Sequence, residues 1–311
     1  MPVAAVLFAA GRGERLRPLT DEVAKPALPM LGIPLAAFGL SRLLPIGPAV
    51  VMNVRHLPRS VTGVLLHYVP THEGFQTLFE EPEAYGTAGT LVALRDRIGP
   101  RVVTWNADVL TDLRAEALRE AHSASDAPAT VAVREVDAGA DFVLQGDRAA
   151  AFVDRRRRAG AAGGVFLGAA VFDREVLFEL PETRPLGLGE TLLASLAASG
   201  RLAVYRHRGY WRDVGSPAAY LAASLDLLEG WGPEPPAPWP GEVADVAGGR
   251  TFVGAGAVVR GGLRPGAVVL DGAVVEPGAT VERAIVWPRE RVPAGSAVRD
   301  GVWFGGRVLP A

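Results

Sequence analysis

The chain has no cysteine among its 311 residues. Disulfides and thiolate metal sites are therefore excluded, and the composition suits a reducing cytoplasm. No stretch of about eighteen uncharged apolar residues occurs, so no membrane-spanning helix is expected. The opening "PVAAVLFAA" is apolar and rich in small residues. It has no basic segment before it and a charged loop directly after it, which argues against a secretory signal. Neither sign of charge dominates: 32 Lys and Arg against 34 Asp and Glu leave a formal net charge of −2. That balance argues against a general binder of nucleic acid or anionic membrane. The five histidines are scattered, with no H-E-x-x-H and no Ser-His-Asp spacing, and G-x-S-x-G is absent as well.

What is present is a long alternation of patterns. Apolar residues make up 49% of the chain, enough for a substantial core in one large domain or two. Strands are expected at Val3–Ala10, Ala49–Val54, Leu65–Val69, Arg101–Trp105, Ala129–Arg134, Gly164–Phe172 and Leu202–Arg206. Helices are expected at Leu35–Leu44, Thr87–Arg97 and Leu113–Ala124. Strands alternating with helices predict an α/β fold: a mixed, mostly parallel, Rossmann-like sheet with helices on both faces. Ligands of such sheets bind beyond the carboxyl ends of the strands.

Two further materials follow. Glu229–Glu242, "EGWGPEPPAPWPGE", is proline-rich and reads as a stiff, extended connector. Beyond it Leu263, Val269, Val275, Val281 and Trp287 recur every six residues, and four positions after each stand Ala267, Ala273, Ala279, Ile285 and Arg291. "VGAGAV" (Val253–Val258) is one more such unit, displaced by a four-residue insertion. An apolar first and a small fifth position predict a parallel β-helix of about three coils. The repeat resembles the left-handed hexapeptide-repeat family. The expected domains are a catalytic domain 1–228, a linker 229–245 and a repeat domain 246–311.

Four stretches carry the chemistry. After the first strand, "AAGRGERLRPLTDEVAKP" sets a glycine turn before a cluster of cations. Glycine lets backbone amides approach phosphate oxygens, Arg15 offers a planar fork, and Lys25 supplies a point charge. The stretch resembles the nucleotidyltransferases that make NDP-sugars, whose first loop reads G-x-G-x-R-L-x-P-L-T followed by K-P. That resemblance implies backbone contacts from Ala10, Gly11 and Gly13 to a nucleoside triphosphate, with Arg15 on its phosphates and Lys25 on the reacting ones. Glu14 stands where Ser or Thr is common, and Ala24 where proline usually precedes the lysine. The roles of Arg12 and Arg17 stay open.

"FEEPEAYGTAGTL" (Phe79–Leu91) resembles the family's E-x-x-P-L-G-T-A-G segment, which borders base and ribose. Ala84 and Tyr85 replace the usual Pro-Leu. Gly86 would permit close backbone approach and Thr87 would open a helix. Glu81 is an acceptor-only group that suits the paired N–H donors of guanine. In "VVTWNADVLTDL", Asp108 matches the aspartate that holds Mg²⁺ in this family, while Asp112 is read as the N-cap of the helix at Leu113. "GYWRDVGSPAAYLAAS" supplies Asp213 as the second metal carboxylate, with Tyr210, Trp211 and Tyr220 assigned to the core. Magnesium takes hard oxygen ligands, so two aspartates plus phosphate oxygens would serve.

The sugar side is less sharply marked. "FVDRRRRAG" (Phe152–Gly160) occupies the place of F-x-E-K-P, which implies Asp154 on sugar hydroxyls and Arg155 on the sugar phosphate, with Arg156 to Arg158 solvated. In "GGVFLGAAVF" Gly168 matches the strand under the sugar, but Phe166 replaces a frequent asparagine. Asp141 is a further hydroxyl-contact candidate. The resemblance implies transfer of a nucleotidyl group from a nucleoside triphosphate to a sugar 1-phosphate, in a cytoplasmic enzyme using Mg²⁺. GTP with mannose 1-phosphate is the first reading, and uridylyl or thymidylyl transfer to a muramyl or glucose-type sugar the alternative. From another class stands a non-catalytic nucleotide-sugar-binding subunit. The repeat domain has no histidine, against a hexapeptide acyltransferase. A homo-oligomer, joined through the β-helix, is also expected.

Overall fold

Neighbouring side chains of a strand leave opposite faces, and the first strand here is buried on both. In β1 (Val3–Phe8), Ala5 and Leu7 join one apolar core while Val3 and Val6 join another. A strand covered on both sides needs a near-continuous apolar run, which is what "VAAVLF" supplies. The computed structural model describes residues 1–65, 67–68, 74–153 and 162–311.

Eight more strands complete the sheet: β2 (Val50–Val54), β3 (Phe75–Phe79), β4 (Ile98–Asn106), β5 (Ala129–Val136), β6 (Phe142–Gln145), β7 (Arg148–Phe152), β8 (Gly163–Asp173) and β9 (Leu202–Arg206). Their order is β3-β2-β1-β4-β8-β5-β9-β7-β6. Pairing is parallel along β3-β2-β1-β4 and between β5 and β9. The strands β7 and β8 run against their neighbours. The carboxyl ends of β1, β2, β3 and β4 therefore lie along one edge.

The sequence patterns misplace three things. Of the strand expected at Leu65–Val69, Leu65 instead ends helix Pro58–Leu65 and His67 and Tyr68 form a turn, while part of the stretch lies outside the described residues; the neighbouring strand is β3. Pro58 suits a first helical turn, and Val61 and Leu65, one turn apart, are the buried pair. The helix expected from Thr87 ends at Leu94, and the one expected from Leu113 begins at Ala115. The β6–β7 hairpin was not anticipated; Gly146, at φ 58°, sits in the two-residue turn between its strands.

Helix Pro217–Glu229 is bounded by local chemistry. The Ser216 hydroxyl accepts from Ala219 N at 3.2 Å, Pro217 fills the first turn, and Gly230 closes the end at φ 81°. Its Tyr220 is fully buried and donates to the Pro29 carbonyl at 2.7 Å. No helix among the described residues is long and apolar enough to cross a membrane.

The C-terminal part begins inside the stretch read as linker: Gly241–Val246 is already a strand, antiparallel to Gly249–Gly254. After that the chain pairs in parallel with its own later turns, setting Phe252 beside Val268, Val268 beside Ile285 and Ile285 beside Val302. A second row sets Val258 beside Val274 and Val274 beside Arg291. The six-residue phase holds through Val269, Val275 and Val281, which share an inner core with Ala267, Ala273 and Ala279. It slips by one residue at Arg283, which takes φ 43°. Ala284, Val286, Val292 and Val298 then point inward, and Ile285 and Trp287 face the other way.

That outward row does not meet solvent. Val268, Leu270, Ile285, Trp287, Val302 and Phe304 belong to the same apolar core as β1, β2 and helix Pro217–Glu229. Trp287 packs edge-on against Tyr220 at 6.3 Å and Phe304 at 5.7 Å, and its Nε1 donates to Glu22 Oε2 at 3.2 Å. Truncating so large a buried ring removes both its burial and its packing. Trp287→Ala should cost about 3–5 kcal/mol, read as a lowered urea midpoint; an unchanged midpoint would deny that the two parts share one core.

Candidate functional site

The loop after β1 is built around Lys25. Gly13 takes φ 65°, and a Cβ there would stand 3.0 Å from both Lys25 Cβ and Thr20 Cγ2. Thr20 donates its hydroxyl to the Gly13 carbonyl at 2.9 Å, which folds the loop back on itself. Lys25 is thereby 7% exposed, and its Nζ lies 2.6 Å from Asp108 Oδ2 and 3.7 Å from Asp213 Oδ1. Ammonium between two carboxylates offsets the repulsion that would otherwise oppose their approach.

The two aspartates, far apart in sequence, meet through a short ribbon. Val109–Thr111 pairs antiparallel with Trp211–Asp213, so that Asp213 lies opposite Val109, next to Asp108. Val214 N donates to the Asp108 carbonyl at 2.9 Å and locks that register. Arg15 reaches the same place. A Cβ on Gly215 would stand 2.6 Å from Arg15 Nη2 and 3.1 Å from Asp213 Oδ1, so glycine there lets the guanidinium come alongside.

Two cavities open at the strand ends. One, about 280 Å³, is lined by Ala10, Gly11, Lys25, Asn53, Glu80 and Gly86 among others. The second, about 260 Å³, is lined by Asp141, Phe166, Gly168, Glu190, Trp211 and Asp213 among others. Thr87, Asn106 and Asp108 line both. A molecule in one chamber would thus meet a molecule in the other beside Asp108 and Lys25. Gly11 has no atom within 4 Å of an added Cβ, so its backbone faces open space in the first chamber.

Other expected residues have altered surroundings. A Cβ on Gly86 would stand 2.4 Å from the Leu186 carbonyl oxygen, so the close approach this glycine permits is that of the chain's own backbone. Thr87 accepts from Leu188 N at 2.9 Å. Gly168, at φ 80°, makes room for Asn106. Asp141 is 7% exposed and accepts from Phe166 N at 2.7 Å. Glu81 is exposed at the rim of an outer hollow of about 650 Å³ that it shares with Arg12, Arg55 and Glu80. Asp112 is not an N-cap, because Arg114 precedes the helix that begins at Ala115; its carboxylate instead meets His207 Nε2 at 2.8 Å. Trp211, assigned to the core, is half-buried and forms part of the second cavity's wall. Asp154, Arg155 and Arg156 lie outside the described residues.

Sequence reasoning missed the group that frames the first chamber. Asn53, Glu80 and Thr90 are all buried. Asn53 accepts from Ala9 N at 2.7 Å and donates to Glu80 Oε1 at 2.7 Å and Thr90 Oγ1 at 3.0 Å. Thr90 Oγ1 also lies 2.6 Å from Glu80 Oε1, and Tyr85 N donates to Glu80 Oε2 at 2.9 Å. This joins the ends of β1, β2 and β3 to helix Gly86–Leu94. The available signal was position: a polar residue in the otherwise apolar run "VVMNV" at a strand's carboxyl end.

The Asp108–Asp213 pair is a hard-oxygen donor set that suits a divalent cation such as magnesium. Among the described residues no group of three or more His, Asp or Glu side chains converges. Remaining ligands would therefore come from substrate oxygens and water, as magnesium sites on phosphates commonly do.

Comparison with known proteins bears on this geometry. Residues 4–230 match the Nucleotidyl transferase family model. The chain is 29% identical to a Mycobacterium tuberculosis mannose-1-phosphate guanylyltransferase, over 90% of this chain and 83% of that protein. It is 24% identical to the Arabidopsis thaliana mannose-1-phosphate guanylyltransferase 1, over 96% and 85%. It is 25% identical to a glucose-1-phosphate adenylyltransferase from Corynebacterium jeikeium, over 96% and 89%. A Bacillus anthracis structure, solved with sucrose under the provisional name glucose-1-phosphate thymidylyltransferase, superposes with a TM-score of 0.59 at 20% identity. That likeness covers 71% of this chain and 94% of the other, and it establishes the mixed α/β fold.

The buried acceptor Glu80 is surrounded by donors, so an amide in its place would turn an N–H₂ toward N–H groups. Glu80→Gln should destabilise the protein by about 1–3 kcal/mol, measured by urea unfolding. Unchanged stability would show that the network is not holding the strand ends.

Proposed function

This chain belongs to the nucleotidyl transferase family, and we propose that it transfers the guanylyl group of GTP to mannose 1-phosphate, releasing pyrophosphate and GDP-mannose. The observation that carries the reading is Lys25 in the wall of the first cavity, its ammonium shared by Asp108, which lines both cavities, and Asp213, which lines the second. The choice of base and sugar rests on relatives named as mannose-1-phosphate guanylyltransferases. The adenylyltransferase relative keeps ATP with glucose 1-phosphate as the second reading.

A sugar 1-phosphate oxygen attacks the α-phosphorus while the bond to pyrophosphate breaks. The nucleophile is already an anion, so no side chain need take a proton. The work left to the protein is to align two polyanions and offset their charge. Ala10, Gly11 and Gly13 hold the nucleotide by backbone, with Gly86 and Thr87 bounding the far wall. Arg15 and Lys25 bind the phosphates. Glu81, at the rim, reads the donor edge of the base. Asp154, Arg155 and Gly168 serve the sugar phosphate. Asp108 and Asp213 would hold Mg²⁺, whose contribution is to neutralise charge on the reacting phosphates.

The same reading separates a catalytic domain, 1–228, from a C-terminal repeat domain that starts with the strand Gly241–Val246, earlier than the expected 246, the repeat being a short left-handed β-helix. Parallel pairing of successive turns and the inward rows of valine and alanine support it. A cytoplasmic homo-oligomer joined through that unit completes it, and sedimentation of the full chain tests the assembly.

Pyrophosphate release, measured across four nucleoside triphosphates and three sugar 1-phosphates, tests the activity. Lys25→Ala and Asp108→Asn should each lower kcat by about a hundredfold to a thousandfold in a folded protein; full activity in either would overturn the assignment. Glu81→Gln should weaken GTP selectively, whereas equal losses for every triphosphate would discard its part in reading the base.

A further inference from the structure

The second cavity contains a carboxylate that the reaction as described does not use. Asp108 and Asp213 pair with Lys25, and Asp141 holds the Phe166 amide. Glu190 lines the same cavity, yet its carboxylate makes no hydrogen bond or ion pair with any described residue. Resting on the function proposed above, we infer that Glu190 is a specificity-determining residue for the sugar, accepting a hydrogen bond from one ring hydroxyl.

Three features place it for that task. Residues Gly189–Leu193 form a π-helical turn, a rare conformation that occurs mostly as a single-turn bulge in a helix and is frequent at functional sites. Glycines at its entrance let the turn close up: a Cβ on Gly187 would stand 2.4 Å from Glu190 Oε2, and one on Gly189 2.8 Å from Phe152 Cζ. The segment is also anchored to the first chamber. Leu186 N donates to the Tyr85 carbonyl at 2.8 Å, and Leu188 N to the Thr87 hydroxyl at 2.9 Å. Glu190, itself exposed, is thereby set in a wall whose backbone is tied to the start of helix Gly86–Leu94 beside the first chamber.

The rest of the wall suits a sugar ring. Phe152, Phe166 and Trp211 offer half-buried aromatic surface to apolar ring faces. An ionised carboxylate is acceptor-only, so it favours a substrate presenting a hydroxyl donor and repels one presenting a second carboxylate. The substrate class is therefore a neutral hexose 1-phosphate with a free hydroxyl at the position facing Glu190, rather than a uronic acid 1-phosphate.

The test pairs one side chain with one hydroxyl. Wild type, Glu190→Ala and Glu190→Gln are assayed with whichever triphosphate and sugar 1-phosphate the wild type turns over, then with the 2-, 3-, 4- and 6-deoxy forms of that sugar 1-phosphate. Glu190→Ala should raise KM for the sugar 1-phosphate by about tenfold or more. Its kcat and its KM for the triphosphate should stay within about twofold of wild type, a split that general damage to the fold would not give. One deoxy analogue should be a poor substrate for wild type but no worse than the parent sugar for Glu190→Ala. An unchanged KM in both variants, or equal losses on every deoxy analogue in wild type and variant, would overturn the inference while leaving the function intact. A wild type that releases no pyrophosphate with any pair would overturn both.

Discussion

One buried ammonium organises the molecule's working edge. Burying a lysine is costly unless opposite charge meets it, and here Asp108 and Asp213 do so from separate parts of the chain. Each neighbour's geometry follows from that pairing. Gly13 must be left-handed and without a side chain because Lys25 and Thr20 occupy the space a Cβ would need. Gly215 must be bare because Arg15 passes beside it. The ribbon Val109–Thr111 with Trp211–Asp213 must keep its register, since a one-residue slip would turn Asp213 to the opposite face.

The same economy explains why two chambers can share three residues. Thr87, Asn106 and Asp108 follow from the sheet order, which puts the ends of β1 and β4 side by side and lets β8 cross beneath Asn106 at Gly168. Loops alone would leave that partition soft. It is instead stiffened by polar contacts: the Asn53–Glu80–Thr90 network ties three strand ends to the helix behind the first chamber, and backbone bonds to Leu186 and Leu188 tie that helix to the second. Pre-set walls matter where catalysis consists of positioning charged groups.

Much of this was legible in the sequence, and the exceptions share a cause. Gly11, Gly13, Arg15 and Lys25 stand in one continuous stretch, so their juxtaposition could be read from spacing. Asp108 and Asp213 were expected together only because the family resemblance implies two carboxylates on one metal ion; the ribbon pairing that brings them side by side is stated by no local pattern. Asp112 looked like a cap because it precedes an apolar run, but the tertiary contact with His207 outweighs that local preference. Glu80 and Glu81 are neighbours of identical chemistry, and only burial separates them: one is enclosed by donors, the other exposed at a rim. The repeat was legible as a period, yet the slip at Arg283 was not, because it appears only when the turns stack.

That slip bears on the relation between the two parts of the chain. A strict six-residue phase would direct Trp287 into the inner core, which alanines and valines fill and Trp303 already joins, so a second indole there would force repacking. Contracting by one residue sends Val286 inward and turns Trp287 out to meet Tyr220, Phe304 and the carboxylate of Glu22. Glu22 ends the short helix Leu19–Glu22, which lies in the loop between Arg15 and Lys25. The C-terminal turns therefore do more than extend the chain. They supply one wall of the core on which the cationic loop rests, so the loop's rigidity and the packing of the repeat are a single physical problem.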